Sequence, residues 1–283
     1  MSEYHLQNCC RVFPAKEADV DPQVTLKIDK QTAFIALNRA QKRNALDGAV
    51  MKELDLRLRE AESRDDVRCV ILHGEGPCFS AGVDFSFIAG LGKVSSSGAR
   101  AFRAILSDLQ QVLNLMERIE KPVICAAHGV CVGMGMELFL AADFRVMSAG
   151  CRLSIPEVDF GLIPDVGGIT RLVRLVGAGH AREIIMTACE VPAERALALG
   201  LVNRTAPDGE HLDEALKLAG VLNGKAPLAL GLAKKVIDRG SHMDKYTLQE
   251  LESLAQSLLV GTGDVAEGFA AKLEKRKPVF KGL

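Results

Sequence analysis

The sequence predicts an α/β protein whose front part alternates strands with helices and whose C-terminal part is a helical lobe. Three observations carry that reading. Apolar runs such as Val67 to His73 and Pro122 to Ala127 are short and β-rich, and segments of 3.6-residue apolar periodicity separate them. From Gly167 onward the composition turns mostly helical. The length, 283 residues with 48% hydrophobic and 25% charged, is enough for one large domain or a domain with a lobe.

Taken in order, residues 1–20 are polar and aperiodic and read as a loose arm, followed by a core over 21–205 and a helical lobe over 206–283. Val24 to Ile28 and Thr32 to Leu37 alternate apolar and polar residues around a break at 29–31, the pattern of a hairpin. Asn38 to Asn44 is a basic loop, and Asp47 is placed to cap a helix running to about Ala61. Val70, Ile71 and Leu72 run without polar relief, as in a buried strand. The small, polar stretch from Phe85 to Ser97 predicts a mobile loop.

Phe102 through Ile119 carries the stripe of a long amphipathic helix. A strand from Pro122, a helix from Gly135 and a strand over Ala142 to Met147 follow. Helices are then expected at 168–176, 179–188, 193–199, 210–223, 226–239, 243–260 and 263–273, with a short strand at Leu201-Val202-Asn203.

Bulk properties exclude several functions. A net charge of −1 and a pI near 6.6 give no global field to hold nucleic acid or a membrane surface. The absence of Trp, with only two Tyr, argues against an aromatic platform for single strands. Eight cysteines occur without a CxxC pair, so neither a zinc site nor a disulfide framework is indicated and buried reduced thiols are expected. The N-terminal residues do not read as a targeting peptide, no apolar run reaches membrane length, and Lys281-Gly282-Leu283 is a poor peroxisomal address. A reducing cytoplasm is the expected location.

The chemistry concentrates between Ala126 and Gly168. Glycines at 129, 133 and 135 lead into a helix whose first turn carries Glu137, and Glu157 and Asp165 follow an extended segment. Carboxylates among Met, Leu, Ile, Pro and Val are costly to bury unless they share hydrogen bonds or hold a proton. Three of them on a glycine-shaped backbone suggest proton transfer. A helix starting at those glycines presents unpaired N–H groups that can hold an oxyanion if a second donor lies opposite. Cys78 to Asp84, a strand ending in small residues, is the candidate for that donor.

These pieces resemble the crotonase, or enoyl-CoA hydratase/isomerase, superfamily. Leu37-Asn38-Arg39 with Lys42 to Leu46, Phe79 to Asp84, Lys121 to Ile124 and His128-Gly129 through Leu138 match it in order and spacing. So do Pro156-Glu157-Val158 through Gly168, Ala196 to Val202 and the tail Lys275 to Pro278, so that the likeness spans roughly residues 22 to 281. The resemblance implies a spiral of ββα units with a C-terminal lobe for trimerisation, in trimers or pairs of trimers. It also implies an acyl-CoA substrate, with coenzyme A as part of it and no further cofactor or metal.

By the same resemblance Glu137 and Glu157 fall on the catalytic carboxylates. In hydratases such a pair holds a water that adds at C3 of a trans-2-enoyl thioester, and Glu157 would protonate the carbon beside the carbonyl. Val83 and Met134 fall on the backbone donors of the oxyanion hole, although the family often has Gly where Met134 stands. Arg39, Lys42, Arg43 and Ala81, with Lys277 and Lys281 of the tail, fall where coenzyme A would be met. Asp84 and His128 read as structural.

Asp165 leaves the reaction open. Hydratases often have glycine there, whereas dienoyl-CoA isomerases have an aspartate that shuttles a proton with the residue matching Glu157. Those isomerases commonly have Asp at the first position, where this chain has Glu137. The alternative role for Asp165 is that of a helix cap only. A non-catalytic acyl-CoA-binding member is the remaining alternative, and it predicts a missing carboxylate.

Overall fold

The computed structural model describes residues 22–87, 89, 99–240 and 243–283. The N-terminal arm and most of the loop expected between Phe85 and Ser97 lie outside the described residues. Strands β1 (Val24–Asp29) and β2 (Thr32–Leu37) pair antiparallel, with Val24 opposite Leu37 and Asp29 opposite Thr32, as their alternation predicts. Asp47 then accepts the N–H groups of Ala49 (2.9 Å) and Val50 (3.0 Å) and starts helix α1 (Gly48–Ser63).

Strand β3 (Cys69–Gly74), helix α2 (Ala99–Arg118) and strand β4 (Val123–Ala127) continue the core. Next come β5 (Val130–Val132), α3 (Met134–Leu140), β6 (Phe144–Ser148) and β7 (Arg152–Ser154). The main sheet has the order β1-β2-β3-β4-β6-β8, where β8 is Arg204–Ala206, and β1 alone runs antiparallel in it. β5 and β7 form a separate parallel pair. This is the α/β architecture the sequence predicts.

Both faces of the sheet are covered, which explains the unbroken apolar run in β3. Val70 and Leu72 face the large core with Leu54, Phe79, Leu113 and Phe139. Cys69 and Ile71 face helix α6, which lies beyond α4 (Gly168–Met186) and α5 (Ala193–Ala198) and spans His211–Asn223; its Ala215, Leu218, Ala219 and Leu222 complete a second apolar layer. α6 therefore belongs to the sheet although the sequence reading places residues from 206 in a separate lobe. Helices α7 (Pro227–Gly240), α8 (Lys245–Leu259) and α9 (Gly263–Leu273) follow.

Helix α4 carries a break at Gly177 (φ 76°, ψ 162°), matching the two helices expected on either side. The short strand, in contrast, starts three residues later than expected, at Arg204. The N–H groups of Leu201 and Val202 are both taken by Ala196 O at the end of α5, so they are not available to a ladder. β5 carries no strand signal in the sequence, because three residues among glycines make too short a pattern. Cys69, Cys78, Cys125, Cys131 and Cys151 are buried free thiols and Cys189 is half-buried. Burial pushes the Cys69 thiol up to about 12.

Candidate active site

Backbone pinning comes first. Asn44, buried in a left-handed conformation (φ 54°), donates from Nδ2 to Glu75 O (2.9 Å) and Cys78 O (2.8 Å) and accepts Arg39 N–H at Oδ1. Ser80 Oγ donates to Asn44 O (2.8 Å) and accepts Gly82 N–H (3.1 Å). Sequence reading assigned neither Asn44 nor Ser80 a role. The signal was available in the polar residues inside the two short motifs.

Val83 pairs with Leu46 in a parallel bridge built from Leu46 N–H to Gly82 O and Asp84 N–H to Leu46 O, both 2.8 Å. That pattern turns Val83's own N–H to the other side. Gly82 (φ 88°) packs so closely on the next segment that a β-carbon would lie 2.8 Å from Val132 O and 3.7 Å from Met134 N. Met134 opens α3 behind Gly133, which supplies no side-chain cap, so its N–H is one of the unpaired donors of a helix start. The two expected backbone donors thus belong to adjoining segments.

The carboxyl groups meet beside them. Glu137 is 2% exposed, and its Oε1 accepts the N–H groups of Val166 (3.0 Å) and Gly168 (2.8 Å). Burial, reinforced by the negative charges of Glu157 and Asp165, outweighs those two hydrogen bonds and pushes Glu137 up to about 8. Glu157 begins the 3-10 turn Glu157–Phe160; burial and the charge of Asp165 raise it above the usual carboxylate range. Its Oε2 is buried without a protein hydrogen-bond partner, and its Oε1 sits 3.0 Å from where a β-carbon on Gly133 would be. Burial also raises Asp165. The cap-only reading of Asp165 does not hold: α4 starts after Gly167 with no side-chain cap, and Glu137 takes the Gly168 N–H.

The basic residues divide. Arg39 is buried, bonded to Asp47 (2.9 Å), Asp84 (3.1 Å) and Ala45 O (2.9 Å), so its guanidinium braces the loop. Asp84 also accepts from Ser86 and from Lys42 (3.2 Å), and these bonds hold it down at about 2. Lys42 and Arg43 are exposed, and Ala81 ties this loop to the site through its N–H on Arg43 O (2.9 Å). Lys277 and Lys281 are exposed too, but their tail is held at the other end of β3, where Arg68 donates to Phe280 O and Asp264 accepts Lys281 N–H (2.7 Å). Six residues of strand, about 20 Å, separate the two ends. Within one chain the tail lysines and the early loop do not meet.

Behind the carboxyls lies a polar brace that sequence reading missed. Arg171 of α4 is bidentate on Glu117 (2.7 and 3.1 Å) and bonds Asn114 Oδ1 (2.8 Å) and Val166 O (3.2 Å). Gln110 Nε2 donates to Asp165 O (2.7 Å). Gln110, Asn114 and Glu117 recur at helical spacing on α2, a polar stripe legible beside the apolar one. His128 is structural, as expected, with Nε2 against Gly76 O (2.9 Å) and its ring stacked on His211. Among the described residues no three His, Cys, Asp or Glu side chains are placed to hold a metal ion, and no helix is long and apolar enough to cross a membrane.

The family model for enoyl-CoA hydratase/isomerase matches residues 27–283. The chain belongs to the enoyl-CoA hydratase/isomerase family. It is therefore an enzyme of the hydratase or isomerase kind. Among curated members of that family it is 36% identical over 255 residues to the short-chain-enoyl-CoA hydratase of Clostridium acetobutylicum, covering 90% of this chain and 95% of that one. It is 36% identical over 205 residues to the human mitochondrial Delta(3,5)-Delta(2,4)-dienoyl-CoA isomerase, covering 70% of this chain and 62% of the relative. The crystal structure of enoyl-CoA hydratase from Bacillus anthracis superposes with a TM-score of 0.86 at 32% identity, covering 92% of this chain and all of that one. The crotonase-like fold class is thereby established.

Proposed function

We propose that this chain reversibly hydrates trans-2-enoyl-CoA to 3-hydroxyacyl-CoA. The observation that carries the reading is the pair Glu137 and Glu157, both raised in proton affinity, next to the segments that present the Val83 and Met134 N–H groups. Two coupled carboxyls can hold one proton between them, so that one accepts while the other donates. Water, deprotonated by Glu137, adds at C3. The C2–C3 π electrons move toward the thioester carbonyl, whose oxygen the two backbone donors stabilise as an enolate. Glu157 then delivers its proton to C2. Phe85, Phe160 and Ile163 are exposed near this mouth, with the rings of Phe85 and Phe160 6.0 Å apart, as suits an apolar acyl chain.

Lys42 and Arg43 are the candidates in this chain for coenzyme A phosphates. Trimeric or hexameric assembly would give the exposed apolar residues Tyr246, Leu254, Leu258, Phe269 and Leu273 a partner and could carry the tail lysines to a neighbouring site. Sedimentation equilibrium tests that assembly.

A second reading is 3,5-to-2,4-dienoyl-CoA isomerisation with Glu157 and Asp165. Asp165 favours it, because its charge acts on Glu157. The deciding assay offers crotonyl-CoA and a 3,5-dienoyl-CoA to wild type and to Asp165→Asn. Hydration that survives Asp165→Asn supports the hydratase. Turnover of the dienoyl substrate alone, lost in Asp165→Asn, overturns it in favour of the isomerase.

A further inference from the structure

We infer that Arg171, braced by Glu117 and Asn114, is a positioning residue for Glu137 that acts through the peptide units between Asp165 and Gly168. The inference rests on the reading of Glu137 as one of the proton-transferring pair.

Three successive carbonyl oxygens of this segment are held by hydrogen bonds. Asp165 O accepts from Gln110 Nε2 (2.7 Å), Val166 O from Arg171 Nη1 (3.2 Å) and Gly167 O from the Arg171 N–H (3.1 Å). The N–H groups of Val166 and Gly168 converge on a single atom, Glu137 Oε1. A peptide unit is planar and trans, so a fixed carbonyl fixes the direction of its own N–H. The unit joining Asp165 to Val166 is therefore clamped between Gln110 and Glu137, and the unit joining Gly167 to Gly168 between the backbone N–H of Arg171 and Glu137; the guanidinium holds the unit between them, Val166 to Gly167, and through it orients both neighbours. Hydrogen bonds in such chains also polarise one another.

The middle unit depends on this side chain. Every guanidinium nitrogen of Arg171 has a protein partner, and the side chain is 7% exposed. Lysine, a point charge on a flexible stem, cannot reproduce the planar fork that spans Glu117, Asn114 and Val166 O together. Gly167 (φ 100°) rests directly on the guanidinium, where a β-carbon would lie 2.1 Å from Nη1. The loop is thus moulded on Arg171 before it meets Glu137.

The test measures kcat, KM, the pH profile of kcat/KM and the melting curve for wild type, Arg171→Lys, Gln110→Leu and Glu137→Gln on crotonyl-CoA. Gln110→Leu removes one bond of the same segment and leaves the ion pair; if Arg171→Lys does not fold, Glu117→Gln, which loosens the guanidinium without replacing it, is measured in its place. Expected for Arg171→Lys is a fall in kcat of roughly ten- to a hundred-fold, the scale of a small misplacement, with KM changed less than about two-fold. Gln110→Leu should fall less. In both, weaker N–H donors leave the Glu137 carboxylate less stabilised, so the alkaline limb of the profile moves to higher pH. Unchanged kcat and profile in the folded variants, or a loss that only follows the folded fraction with the limb unmoved, overturns the inference. If Glu137→Gln keeps wild-type turnover, the reading of Glu137 falls and the inference with it. If Glu137→Gln is inactive while the other two match wild type, the inference fails alone.

Discussion

Gly168 makes room for Glu137: a β-carbon on it would fall 2.6 Å from Oε1 and 2.7 Å from Cγ of that glutamate. The same residue donates its N–H to Oε1 at 2.8 Å. Adding one methyl must push the carboxyl aside or move the start of α4. Gly168→Ala is expected to lower kcat by roughly a hundred-fold and to destabilise the fold by about 1–3 kcal/mol through overpacking. Steady-state kinetics and thermal melting of the variant check both.

Gly133 and Gly177 separate strain from chemistry. Gly133 has φ 54° and ψ −129°, and its β-carbon would meet Glu157 Oε1 at 3.0 Å. Gly177 has φ 76° and ψ 162°, with nothing within 4 Å of such a carbon. Alanine at either position stores strain of about 1–3 kcal/mol. Gly133→Ala should lower both the melting temperature and kcat, whereas Gly177→Ala should lower only the melting temperature.

The carboxyl pair sets a pH window. Activity needs one shared proton and is lost when both groups are protonated or both are charged. Glu157 is raised and Glu137 is raised to about 8, so the window lies above the ordinary carboxylate range and closes on its alkaline side near 8. A bell-shaped profile of kcat/KM is expected, and Glu137→Gln should abolish turnover across it.

His211 predicts a separate pH effect on stability. It is 6% exposed, stacked on His128 with ring centroids 4.3 Å apart, and neither ring nitrogen has a protein partner. Burial first, then the neighbouring His128 and His73, lower it to about 4, against the weaker pull of Asp208 and Asp213. The unfolded chain binds this proton more readily, so stability is intact above about 6.5 and is lost as pH falls toward 4. Melting temperatures across that range should fall in wild type and fall less in His211→Gln.

How much of this was legible in the sequence follows from where the signals are local. Asp47 and Gly177 act on their own segments, and the predicted cap and helix break are both observed. Glu137, Glu157 and Asp165 stood out because carboxylates among apolar residues break a local pattern. The brace of Arg171 on Glu117 was not legible, since it joins residues 54 apart on separate helices, each an ordinary helix charge until the fold brings them together. The burial of Arg39 was hidden likewise, because its partners Asp47 and Asp84 come from separate elements. The tail lysines looked like neighbours of the early loop only by analogy; Arg68 and Asp264 hold them at the far end of the sheet.

The central claim, that Glu137 and Glu157 add water across an enoyl thioester, is tested most directly by turning over crotonyl-CoA in ¹⁸O-labelled water and following the label at C3 by mass spectrometry. Wild type should place one labelled oxygen there, and Glu137→Gln and Glu157→Gln should each slow incorporation by roughly a thousand-fold or more while remaining folded. No incorporation by wild type, or incorporation by either variant at the wild-type rate, would contradict it.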